Sequence, residues 1–120
     1  MNNDKEMLKL IHRFGNAFTK AHLYFQAAKI WHIGIKYRDK LSYINLAQMY
    51  LHDLSMQNIS GLNLGLKVSA ESCRALMTDM WQTFPQETVP FLQSLITMRN
   101  IPQDDKNFYK RLLNKKEILK

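Results

Sequence analysis

Ala21-His22-Leu23-Tyr24-Phe25-Gln26-Ala27-Ala28-Lys29-Ile30-Trp31 decides the fold. Small and aromatic residues recur here every three or four positions, through Ala17, Ala21, Tyr24, Ala28, Trp31 and Ile35. One side of a helix is then apolar along its whole length, ready to press against a second helix just downstream. Small residues let two backbones approach and the large ones lock the register. The partner follows at once: Leu41, Ile44, Ala47, Tyr50, Leu51 and Leu54 form another helical stripe, after the polar turn Arg38-Asp39-Lys40. Joined by so short a connection, the two predict an antiparallel helical hairpin.

Outward from the hairpin the chain keeps reading as helix. Asn3 with Glu6 fits a helix start, and Met7, Ile11, Phe14 and Phe18 share a stripe after it. Gly15-Asn16 predicts a break before a long element from Ala17 to about Arg38, because glycine weakens a helix and asparagine caps one. Residues 59–68 support two readings. Leu62, Leu64, Leu66 and Val68 alternate as in a strand, whereas Ile59, Leu62, Leu66, Ala70, Cys73, Met77, Met80 and Phe84 recur as in a helix. A lone strand would have no partner, so a helix starting within 60–70 and ending near Phe84, before Pro85, is expected. Thr88-Val89-Pro90 predicts a fresh start, with Leu92, Leu95 and Ile96 inward and Asn100-Ile101-Pro102 ending it. Asp104 is the expected cap of a last, basic amphipathic helix carrying Phe108, Leu112 and Leu119. The expectation is one all-α domain over residues 1–120, five or six short helices in which a helical hairpin is followed by a C-terminal helical extension.

Composition narrows the function classes. With 120 residues and 46% hydrophobic content the chain can bury one core. The first six residues carry two acids and no apolar run, unlike a secretory signal, and no stretch approaches the roughly 18 apolar residues that span a bilayer. The lone Cys73 has no internal disulfide partner, which fits a reducing, cytoplasmic setting. The net charge of +7 is uneven: Lys and Arg exceed Asp and Glu by five over residues 1–40 and by three over 101–120, while 41–100 carries −1. His22, Lys29, Lys36 and Lys40 would line one side of the long helix, and Lys106, Lys110, Arg111, Lys115 and Lys116 fall on the last one. Either group could follow a phosphate backbone or attract another anionic partner.

Chemistry-bearing patterns are missing. His12, His22, His32 and His52 lack the short spacings or cysteine partners of a zinc site. Cys73 sits on an apolar stripe without a nucleophile signature, the carboxylates are scattered singly, and Gly61 and Gly65 are not followed by the lysine and hydroxyl of a phosphate loop. The sequence thus predicts no catalytic residues, no cofactor, no metal and no small-molecule substrate, and a protein that works by binding.

Tyr24, Ala27, Ala28 and Trp31, with a second short helix after them, resemble the core pattern of the PerC and ANR (AraC negative regulator) group of small bacterial transcription regulators. Tyr43, Leu46 and Tyr50 stand where that group usually shows tryptophan, arginine and an aromatic or cysteine. The resemblance covers residues 17–51. It implies a non-enzymatic regulator of virulence or adhesion genes that contacts another regulator, or pairs with itself, through apolar anchors, for which Phe18, Phe25, Tyr37 and Tyr43 are the candidates. The same hairpin is similar to one unit of a tetratricopeptide or Sel1-type repeat, with Asn45–Tyr50 in its first helix. That would imply a secretion chaperone or adaptor, although such folds need about three stacked units.

Overall fold

The computed structural model describes residues 2–57 and 66–118, with side chains given for 4–57 and 66–115. Six helices follow in order: α1 (Asn2–Lys20), α2 (Tyr24–Lys36), α3 (Lys40–Met56), α4 (Ala70–Thr83), α5 (Pro85–Thr97) and α6 (Gln103–Ile118). No strand occurs among the described residues. The helices pack mainly on their chain neighbours, and α3 joins the first hairpin to both α4 and α5. The central helix therefore cannot carry a single stripe: Tyr43, Leu46, Ala47, Met49, Leu51 and Leu54 are buried on several of its sides. Buried residues of all six helices join in one cluster.

The helices are where expected, but four boundaries move. α1 runs straight through Gly15-Asn16, and the break falls at 21–23 instead. Gly15 is there for closeness: a Cβ on it would lie 2.5 Å from ring atoms of Trp31. The true stop is His22, whose φ of 61° is left-handed. There the Leu23 N–H reaches the Phe18 carbonyl at 2.8 Å and the His22 N–H the Thr19 carbonyl at 3.1 Å, the paired bonds that close a helix C-terminus. Ala17 consequently sits on α1 and Ala21 in the turn, both exposed, and the seam begins at the half-buried Tyr24. α2 ends in the same way around Arg38, φ 57°, with the Asp39 N–H on the Gly34 carbonyl at 3.1 Å.

The second shift is at the start of α1, which begins at Asn2 and so encloses Asn3 in its first turn. The third is at Pro85, which does not merely stop α4. It opens α5 at once, since its missing N–H is not needed at a first helical position, and Pro90 lies inside that helix. Phe84 serves both helices, giving its N–H to the Met80 carbonyl and its carbonyl to the Thr88 N–H. The fourth is α6, which starts at Gln103, so Asp104 is a first-turn residue and the Pro102 carbonyl takes the Lys106 N–H. Residues 66–69 are irregular and lead to Ser69, whose Oγ caps α4 by accepting the Ser72 N–H at 3.0 Å. The helix-or-strand question over 59–65 lies outside the described residues, as does Leu119.

The whole is a slab of 42 × 41 × 18 Å. Its thin dimension is close to two helix layers, given interaxial spacings of about 8–10 Å. Chain-neighbour packing in a slab leaves broad faces in solvent, and one of them is apolar.

Candidate functional site

α1 and α2 run antiparallel, with Gly15 under Trp31 and Ile11 against Gly34. Ile11 and Gly15 are buried at this contact, flanked by the half-buried Leu8 and Phe18. One flank of α1 turns toward α3: His12 Nε2 lies 2.7 Å from Asp39 Oδ2 at the α3 cap, and Thr19 shares a cleft with Asn45, Gln48, Met49 and His52. The opposite flank carries Met7, Leu10 and Phe14, spaced as one helical stripe. On α2, Ile35 and His32 line a groove with α3 and α4, so Ile33 and Tyr37 lie on the side away from them. Helical geometry thus puts Met7, Leu10, Phe14, Ile33 and Tyr37 on one outer face of the hairpin, and each is 39–48% exposed.

This face has a basic border. Arg13 and Lys20 on α1 and Lys29 and Lys36 on α2 are all exposed. By helical spacing Arg13, Lys20 and Lys36 flank the apolar stripes on their outer edges, whereas Lys29 stands over the Phe25 ring at 4.6 Å and lines a groove with His32, Tyr50 and Leu66 on the other side of α2. None of the four makes an ion pair with a described residue.

The residues expected to bind a partner are divided. Phe25 and Tyr37 are exposed, Phe18 is half-buried against the core, and Tyr43 has no exposed surface. Tyr43 instead donates to Asp79 Oδ2 at 2.9 Å and accepts from Arg38 at 2.9 Å, tying the α2–α3 turn to α4. Its burial raises the pKa of the hydroxyl.

The expected basic line does not form. The break at 21–23 puts His22 in a turn, bonded to the Tyr24 hydroxyl at 2.7 Å, while Lys29 and Lys36 stay on α2. Lys40 opens α3, pairs with Glu87 at 3.3 Å and stands over the Phe84 ring. On α6, Lys110, Arg111 and Lys115 are exposed and Lys106 is half-buried; the Lys116 side chain lies outside the described residues. α1 packs on α2 and α6 on α5 and α4, so the two basic ends belong to different parts of the slab.

Met7 and Phe14 share a sequence stripe with Ile11 and Phe18 but are exposed where Ile11 is buried and Phe18 half-buried, and Leu10 and Ile33 belong to no stripe read from the sequence. The readable signal was crowding: six apolar residues, Met7, Leu8, Leu10, Ile11, Phe14 and Phe18, exceed what one buried face of α1 can hold.

Elsewhere the polar groups serve packing. Cys73 is buried beside Tyr109 and Asp105, and burial pushes its thiol up to about 11, away from the thiolate a nucleophile needs. Asp53 is buried and holds the approach to α4 by accepting the Val68 N–H at 2.9 Å. Arg74 pairs with the buried Asp105 between α4 and α6. The histidines stand apart, His12 on Asp39, His22 on Tyr24 and His32 on Tyr50 at 3.0 Å. No helix among the described residues is long and apolar enough to cross a membrane.

What this arrangement offers is adhesion, an apolar face with cationic borders. Comparison with protein-family models, with curated proteins and with solved structures finds no match for this chain.

Proposed function

We propose that this protein is a non-enzymatic regulator that acts by binding another protein through the outer face of the α1–α2 hairpin. The observation that carries this reading is the exposure of Met7, Leu10, Phe14, Ile33 and Tyr37 together, five large apolar side chains on one face. Apolar groups gathered this way mark a surface that is covered in use. The resemblance of Tyr24, Ala27, Ala28 and Trp31 to the PerC and ANR pattern supports transcriptional or virulence-gene control as the setting. The lone, buried Cys73 fits a reducing cytoplasm.

The test compares the tagged chain with its Leu10→Gln/Phe14→Gln variant in the native host. Glutamine suits a helix, so the variant should keep its fold and helical circular dichroism. Proteins retained by the wild type after nuclease treatment and a moderate-salt wash should be lost from the variant. Equal recovery by both chains would refute the reading.

A further inference from the structure

We infer that the partner segment is an acidic amphipathic helix, seated in the trough between α1 and α2 with its carboxylates on the basic borders. The inference rests on the proposed protein-contact function and names the chemistry of its partner. Three observations lead to it.

The first is charge. Residues 2–36 hold six Lys or Arg, Lys5, Lys9, Arg13, Lys20, Lys29 and Lys36, against only Asp4 and Glu6. Arg13, Lys20 and Lys36 flank both sides of the apolar stripes and make no ion pair with a described residue. A segment with apolar anchors in the middle and acids on either edge answers both features. Potentials of opposite sign also speed encounter and reject wrong partners.

The second is shape. Two antiparallel helices with apolar residues on adjoining flanks leave a shallow trough along their line of contact, the seat that a third helix takes in helical packing. Met7 to Phe14 spans two helical turns, about 10 Å at 1.5 Å per residue. The partner then needs apolar anchors at i, i+3, i+4 and i+7, the pattern by which a helix is read in a groove.

The third observation sets aside a second copy of this chain as the occupant. A symmetric dimer through this face would bring two identical basic borders together, since the same patch serves both subunits. Like charges juxtaposed at an interface oppose it.

The experiment uses two synthetic 18-residue probes with one leucine stripe at helical spacing, one flanked by glutamates and the other by lysines, each carrying a fluorophore for anisotropy. The full-length protein should bind the acidic probe at least about tenfold more tightly than the basic one, and the affinity should fall severalfold as salt is raised, because the borders are solvent-exposed. Leu10→Gln/Phe14→Gln should abolish binding. Arg13→Glu/Lys36→Glu should weaken the acidic probe about tenfold and improve the basic one.

Equal binding of both probes, no binding of either, or binding indifferent to these variants overturns the inference. So does a dimer seen in sedimentation that Leu10→Gln/Phe14→Gln dissolves, or a random-sequence DNA duplex that displaces the acidic probe and loses affinity in the charge-reversed variant. If neither probe binds while the native partner is still lost from the glutamine variant, the protein-contact function stands and the acidic helix falls. If the native partner is retained by the glutamine variant, the function itself falls.

Discussion

At the scale of single residues, the closeness of α2 to α1 on one side and to α3 on the other is set by what is missing from two side chains. A methyl on Gly15 would intrude to 2.5 Å from Trp31, and one on Gly34 to 2.6 Å from Ser42 Cβ. Gly15→Ala is therefore expected to lower stability by about 1–3 kcal/mol through overpacking, even though alanine favours helix by about 1 kcal/mol. Trp31→Ala should cost about 3–5 kcal/mol, as for a large aromatic removed from a core. Urea midpoints check both, and a more stable Gly15→Ala protein would contradict the packing. Cys73 gives the pH prediction. Its thiol is pushed up from an ordinary 9.0 to about 11 by burial. The fold thus favours the neutral form, and this contribution is whole below pH 9 and lost as pH rises toward 11, because the unfolded chain gives up its proton first. At pH 8 the native protein should resist iodoacetamide and react only as it unfolds; rapid native alkylation would show an open thiol. The sequence disclosed Trp31 and Cys73 as core residues, since both lie on apolar stripes. It did not disclose the purpose of Gly15, because a glycine that ends a helix and one that admits a neighbouring ring look alike until the neighbour is known.

At the scale of elements, periodicity located α2, α3, α4 and α5 well because each buries residues at helical spacing. It failed at the joints. Two helices stop at non-glycine residues in left-handed conformation, His22 and Arg38, neither of which carries the usual glycine signal. Arg38 is held by Tyr43 and Asp79, at 2.9 and 2.6 Å, partners distant in sequence. His22 is held only locally, by Tyr24. His22→Gly should accordingly raise stability by about 1 kcal/mol, as glycine takes this conformation without a Cβ clash. An unchanged denaturant slope with a higher midpoint is the expected result, and a lower midpoint would mean that the His22–Tyr24 bond outweighs the backbone. The same displaced joint broke the expected basic line, because His22, Lys29, Lys36 and Lys40 share a face only if one helix runs through all of them.

At the scale of the molecule, the slab explains why the outer face could not be read from the letters. A sequence shows which residues are apolar, but which apolar flank of α1 meets α2 depends on the register between them, and that register is fixed by the Gly15–Trp31 and Ile11–Gly34 contacts. Once it is fixed, Ile11 turns inward and Met7, Leu10 and Phe14 turn out. The helix that carries the other basic residues, α6, packs on α4 and α5, on another part of the slab from this face. A partner drawn by charge alone would have both regions to choose from, whereas one that needs apolar anchors has the hairpin.

The most direct measurement is methyl and amide chemical-shift mapping of the labelled protein titrated with the acidic helical probe. Shifts should concentrate on Met7, Leu10, Phe14, Ile33 and Tyr37, with smaller changes at Arg13 and Lys36. Shifts centred on Lys110, Arg111 and Lys115 of α6, or spread evenly over the slab, would contradict it.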